Sequence, residues 1–298
     1  MDLHPSKSER ESTEEPMVAE TVDAATGAVQ RMEFLTTPRG RMYVVSNIAP
    51  NSSSAVLICS PVSADFTANY HRERLLARTL ASRGISAFRF HYLGQGHSEG
   101  EAKDLTFTSI CDDARDAFAF VSSSFAPAKL AVFGTRIGAL VACALAQLYP
   151  VPVVGLWEPM GRPDRFFEEG GRSRRMSNLL RSADGEQKSW RQELADDGEL
   201  DLLGVWVFPS LVSSLDEIDV TSLRPPLGGK TMVVDFGGSK NQVAKWLAEQ
   251  DPAAKMEVLN INVAESWWFV DDHMRQDADD MVAVTVDWLA RALDEVAS

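Results

Sequence analysis

The sequence predicts an α/β protein, a mostly parallel central sheet flanked by helices and interrupted by one long insertion. Three observations lead there. Short apolar runs of strand length alternate with stretches whose apolar residues recur at helical spacing. Residues 55–59 (AVLIC) are apolar throughout, as a strand buried on both faces of a parallel sheet requires. The alternation then stops after residue 157 for a long charged stretch and resumes at residue 231.

The elements follow in order. Residues 1–28 carry Asp2, Glu9, Glu11, Glu14, Glu15, Glu20 and Asp23 against Lys7 and Arg10, with few large apolar side chains. That composition predicts a disordered acidic tail, neither signal nor transit peptide, with order beginning near Arg31. Residues 32–36 and 42–48, separated by Pro38-Arg39-Gly40, read as two strands joined by a turn. After the 55–59 strand, residues 71–82 read as a helix with Leu75, Leu76 and Leu80 on one face, stopped by Gly84. Residues 85–92 form the next strand and lead into a glycine-rich loop, Gly94-Gln95-Gly96-His97-Ser98-Glu99-Gly100. A helix near 110–123, a strand at 129–133, a helix at 139–148 and a strand at 151–157 follow, joined by right-handed crossovers.

Residues 162–201 mix Arg162, Arg165, Arg172, Arg174, Arg175, Arg181, Lys188 and Arg191 with acids. Residues 202–215 turn apolar, and Pro225-Pro226 with Gly228-Gly229 close the insertion. A strand at 231–236, a helix at 241–249, a strand at 256–263 and a helix at 277–296 complete the chain. In that last helix Met281, Val284, Trp288, Leu289 and Leu293 share a face. The expected division is a tail at 1–28, core at 29–160, a lid at 161–228 and core again at 229–298. The lid is expected over the carboxyl ends of the strands, where ligands bind in open α/β sheets.

Composition narrows the function. At 298 residues and 45% hydrophobic, the chain suffices for one large core. A formal charge of −14 argues against nucleic acid or an anionic membrane as the main partner. No stretch approaches the roughly 20 apolar residues of a membrane span. The three cysteines, Cys59, Cys111 and Cys143, fall on core elements without metal-ligand spacing, as buried thiols of a cytoplasmic protein would. No metal or cofactor signature is present, and the glycine-rich loop is not a dinucleotide fingerprint, so a small molecule is the expected partner.

The chemistry centres on Gly134-Thr135-Arg136-Ile137-Gly138. It stands between a strand and an apolar helix, the context in which G-x-S-x-G exposes a nucleophilic serine. A guanidinium stays protonated in proteins and offers no usable lone pair, so Arg136 cannot replace that serine.

Together with this elbow, three stretches carry a resemblance: Cys59-Ser60-Pro61-Val62-Ser63, His71-Arg72-Glu73-Arg74 through Gly84, and residues 88–100. Over roughly residues 31–296 the chain resembles the α/β-hydrolase branch of serine aminopeptidase-like and monoglyceride-lipase-like proteins. The nearest likeness is to the exosortase-A-associated hydrolases of the second type. Those carry arginine in a G-x-R-x-G elbow and an aromatic pair before the last helix, where this chain has Trp267-Trp268-Phe269.

The resemblance implies an α/β-hydrolase fold and a depleted triad. Arg136 takes the nucleophile position. The backbone N–H groups of Val62 and Ile137 match the oxyanion donors. His273 is the only histidine in the loop before the final helix, while Gly237-Gly238-Ser239-Lys240-Asn241 offers no acid. Glu158 sits at an alternative acid position. It would orient His273, pair with Arg136, or stand exposed at the lid hinge. Arg136 itself would clamp an anion, or pair with a local carboxylate and plug the site. Ser60 is a replacement nucleophile or a pocket residue, and Trp206, Trp267 and Trp268 line an acyl pocket or pack lid on core.

Three functions remain open from sequence. In the leading one, Arg136 and the two amides stabilise negative charge on a small acyl-type or carboxylate-bearing substrate, such as an acyl thioester, with His273 as acid/base and Glu158 as its partner. The second is an inactive ligand- or partner-binding pseudo-hydrolase. The third is an esterase or thioesterase with a relocated nucleophile.

Overall fold

The computed structural model describes residues 18–168, 171–172, 188–202, 204–237, 241–261 and 275–296. The described strands form a nine-stranded sheet in the order β1-β2-β3-β5-β4-β6-β7-β10-β11 and a separate two-stranded hairpin, β8-β9. The large sheet comprises β1 (Ala19–Val22), β2 (Val29–Thr37), β3 (Gly40–Ile48), β4 (Ser54–Cys59), β5 (Ser86–Phe90), β6 (Lys129–Thr135), β7 (Val153–Trp157), β10 (Lys230–Asp235) and β11 (Met256–Asn260). From β5 to β11 every pairing is parallel; β1, β2 and β3 pair antiparallel, and β3 joins β5 antiparallel. This is the α/β-hydrolase fold.

Alternation along the strands sorts the core into two layers. Ala55, Leu57, Cys59 and Val132 face one layer with α2 (Phe107–Ser124) and α3 (Ile137–Leu148). Val56, Ile58, Ala131, Phe133 and Trp157 face the other, with α1 (Ser63–Ser82) and the C-terminal helix. The period of two does this automatically, because successive strand side chains point to opposite faces. Trp157, fully buried, satisfies its indole N–H on Thr285 Oγ1 at 2.9 Å and meets Phe133 edge-on at 5.0 Å.

Between β7 and β10 the insertion contributes α4 (Trp190–Asp197), the hairpin β8 (Leu200–Leu202) and β9 (Val205–Val207), and α5 (Pro209–Asp216). Leu200, Leu202, Val207, Leu211 and Leu215 join the first core layer, so this segment packs as part of the fold. Trp190 is buried within it, against Phe167 and tight against Gly171, where a Cβ would lie 2.1 Å from the ring. Three of the basic residues described here are matched locally: Arg162 by Asp164, Arg191 by Asp216, Lys188 by Asp196. The chain closes with α6 (Gln242–Ala248) and α7 (Arg275–Glu295).

Two boundaries differ from the sequence reading. Order begins before Arg31: Ala19–Val22 is a strand paired along its length with Val29–Met32, inside the segment expected as tail. And α1 begins at Ser63, well before the expected start at residue 71. Three buried free cysteines occupy the core elements assigned to them.

Candidate functional site

The carboxyl ends of β4, β6 and β7 are neighbours in the sheet, and a residue with positive φ follows each, directly after β6 and β7 and at the start of α1 after β4. Ser63 lies at +59°, Arg136 at +53° and Glu158 at +44°. Non-glycine residues rarely occupy this region, at a cost of about 1–3 kcal/mol each, and such strain concentrates at functional sites.

The elbow's backbone is intact. Arg136 has φ +53° and ψ −111° at the N-cap of α3, and its own N–H donates to the Trp157 carbonyl at 2.8 Å. Both flanking glycines are sterically required. A Cβ at Gly134 would lie 2.2 Å from the Gly138 carbonyl oxygen, and one at Gly138 would lie 2.1 Å from that of Cys59. The second contact also brings the loop after β4 against the start of α3.

That loop holds Val62. Gln95, from the glycine-rich loop, brackets it: the side-chain N–H₂ donates to the Pro61 carbonyl, and the side-chain carbonyl accepts the Ser63 N–H, both at 3.1 Å. Val62 and Ile137 are fully buried, and neither backbone N–H donates to another of the described residues. Ile137 opens α3, so the partial positive charge of the helix N-terminus adds to its donor. The glycine-rich loop is set by His91, whose Nδ1 accepts the His97 N–H at 2.9 Å; a Cβ at Gly96 would lie 2.3 Å from that nitrogen.

The Arg136 side chain is buried, not extended into solvent. Its Nε donates to Asp65 Oδ2 in a short ion pair, its Nη1 lies 3.6 Å from Glu158 Oε2, and its Cζ stands 5.9 Å from the Phe166 ring. Of the roles considered for Arg136, pairing with a local carboxylate is the geometry found. Glu158 is likewise fully buried beside Arg136, so of its three alternatives exposure at the lid hinge is excluded and proximity to Arg136 is the geometry found.

Asp65 is the residue that sequence reasoning missed. It lies in the first turn of α1, where an acid is favoured by the helix N-terminus, ahead of the helix start expected at residue 71. Ser60 is 2% exposed and donates its hydroxyl to Glu73 Oε2 at 2.5 Å, so it sits in the core and is committed to a carboxylate. Trp206 is 57% exposed on β9. Asp235, half-buried at the end of β10, accepts the Gly237 N–H at 2.8 Å. His273, Trp267 and Trp268 lie outside the described residues.

A strained strand–turn–helix elbow at the carboxyl edge of a mostly parallel sheet defines the class: an α/β-hydrolase-fold protein. Comparison with known proteins agrees. Residues 62–157 match the Hydrolase_4 family, described as serine aminopeptidase, S33. Est1E from Butyrivibrio proteoclasticus, solved with ferulic acid bound, superposes with a TM-score of 0.64 at 11% identity, covering 88% of this chain and 99% of that one. A putative hydrolase from Agrobacterium vitis S4 gives 0.59 at 16% identity, covering 94% and 98%. The mouse alpha/beta hydrolase domain-containing protein 10 gives 0.56 at 11%, covering 87% and 98%. At these identities the likeness is one of fold. No curated protein sequence matches the chain. Among the described residues no helix is long and apolar enough to cross a membrane.

Proposed function

We propose that this chain is a hydrolase-fold binding protein that holds a small acyl-type or carboxylate-bearing molecule without forming a covalent intermediate. One observation carries the reading: the elbow residue is an arginine whose guanidinium is held in the interior by Asp65 and Glu158. No nucleophile stands at the elbow, and the positive charge there already faces two carboxylates. The anchors left for a ligand are the Val62 and Ile137 amides at the start of α3, the kind of donor pair that favours a single anionic oxygen. The likeness to exosortase-A-associated hydrolases of the second type, with arginine at the same elbow position, supports this reading. Ser60 weighs against a relocated nucleophile, since its hydroxyl is buried and bound to Glu73.

A fluorophosphonate probe and a panel of esters and acyl thioesters test the proposal on the wild-type chain. The expected result is no covalent labelling and no turnover, with saturable binding of a short-chain carboxylate detected by calorimetry. Labelling at any serine, or steady turnover of one panel member, would overturn it.

A second reading is favoured by the retained strain at Arg136, which a mere plug does not need. There the guanidinium and both amides stabilise negative charge developing on the substrate. His273 acts as acid/base and Glu158 as its partner, in an elimination, isomerisation or addition that needs no nucleophile. It predicts substrate turnover that Arg136→Lys reduces by more than tenfold while ligand binding persists, since a lysine keeps the charge without the planar fork.

A further inference from the structure

Glu73 is a buried acid with no part in the Arg136 cluster. It lies on α1, 1% exposed, and its carboxylate accepts two side-chain hydroxyls: Ser60 on Oε2 at 2.5 Å and Thr135 on Oε1 at 3.1 Å. The positions of those donors matter more than their number. Ser60 opens the loop after β4, two residues before Val62. Thr135 ends β6, two residues before Ile137. One carboxylate therefore joins the two backbone segments that carry the amide pair.

The two segments are also in backbone contact. A Cβ at Gly138 would lie 2.1 Å from the Cys59 oxygen and 2.6 Å from the Ser60 oxygen. With no side chain between them, a slip of the β4 loop along α3 changes the distance between the Val62 and Ile137 donors directly. An apolar residue at position 73 could fill the same volume, but it could not hold both hydroxyls at once. A carboxylate offers two acceptor oxygens in one plane.

We propose that Glu73 is a positioning residue: by bridging Ser60 and Thr135 it fixes the separation of the Val62 and Ile137 N–H groups, and so the place of the anionic oxygen to which they donate. This rests on the reading of those amides as the ligand's anchor and adds the device that holds them. Burial pushes the Glu73 carboxyl up to about 6, against the downward pull of the two hydroxyls and of Arg89. The charged and titratable groups around it are Arg89 on β5, Tyr92 just after it, and Cys59 on β4. Protonation turns one acceptor oxygen into a donor, so one of the two hydroxyls must reorient and the bridge loosens.

Amide nitrogen and proton shifts of Val62 and Ile137, followed by NMR in the full chain across pH values either side of 6, test this. In the wild type both amides should titrate with one shared midpoint near 6. Glu73→Gln should abolish that titration at both. Ser60→Ala should remove it chiefly at Val62 and Thr135→Val chiefly at Ile137, a selectivity that a merely space-filling acid would not produce. The single-hydroxyl variants keep the test available should Glu73→Gln fail to fold. Identical responses of both amides to Ser60→Ala and Thr135→Val, or an unchanged titration in Glu73→Gln, would overturn the proposal. Sodium acetate serves as the probe anion. It should shift both amides, with binding weakened roughly tenfold, about 1.4 kcal/mol, in Glu73→Ala. Should the amides titrate as described while acetate moves neither, Glu73 keeps its positioning role and the ligand reading falls.

Discussion

Helix α1 grips the elbow at two points, and the two grips differ in kind. Near its start Asp65 meets Arg136, charge against charge. Further along, Glu73 meets Thr135 and Ser60, a charge against neutral hydroxyls. At the helical rise the backbone positions of the two residues are about 12 Å apart along the axis. Removing one partner from the first grip strands a buried charge. Removing a donor from the second leaves a carboxyl that can take up a proton instead, as its shift to about 6 indicates. The first grip is brittle and the second compliant.

The largest expected effect comes from breaking the brittle one. Arg136→Ser leaves Asp65 and Glu158 buried without their shared guanidinium, and should lower stability by about 3–5 kcal/mol, read from urea melts with an unchanged slope. Replacing all three, with Arg136→Met, Asp65→Leu and Glu158→Leu, should recover most of that loss. Exchanging a whole buried ion cluster for apolar groups is often neutral or stabilising, by up to about 4 kcal/mol. A triple variant as unstable as the single one would show that the cluster's worth lies elsewhere than in charge compensation.

The compliant grip predicts a pH dependence. The folded Glu73 pKa, about 6, lies above the ordinary 4.5, so its contribution is fully present below about 4.5 and is lost as pH rises through 6. Glu73→Gln does not titrate. Its stability relative to wild type should rise over that window by about 2 kcal/mol, at 1.36 kcal/mol per unit. Asp113, also raised to about 6, is common to both chains and cancels in the difference. So does His91, lowered to about 3, whose contribution runs the other way and is lost as pH falls below 6.5. A difference that stays flat with pH would mean Glu73 is not carrying the charge assigned to it. At the small end, Trp206→Ser alters an exposed residue and should change stability by less than about 0.5 kcal/mol.

Most of the fold is legible in the sequence because its strands are buried on both faces. The run at 55–59 becomes Ser54–Cys59, and that at 129–133 becomes Lys129–Thr135. What escapes is set by distant partners. Ala19–Val22 carries Glu20 within an acidic run, and only its pairing with β2 makes it a strand. Residues 63–70, Ser-Ala-Asp-Phe-Thr-Ala-Asn-Tyr, are mostly weak helix formers with no apolar stripe, so the first turns of α1 escape the sequence. Asp65 was hidden with them. The elbow's unusual arginine is plain in the sequence, but its partner is not. Without Asp65 in view the guanidinium looks available to an anion, and for that reason the sequence ranks charge stabilisation first.

Phe166, over the Arg136 guanidinium, belongs to the first turn of the insertion, so elbow and insertion meet at one side chain. A chain exploring substitutions one at a time meets a ratchet here. Putting a serine at position 136 opens a hole beneath Phe166 and takes the guanidinium from two buried carboxylates before any hydrolytic benefit exists. Altering Asp65 or Glu158 first instead leaves the arginine short of a partner. Installing covalent chemistry at this elbow therefore requires concerted change at three or four positions, and an engineer seeking such activity should begin with Asp65, Glu158 and Phe166 rather than with the elbow itself.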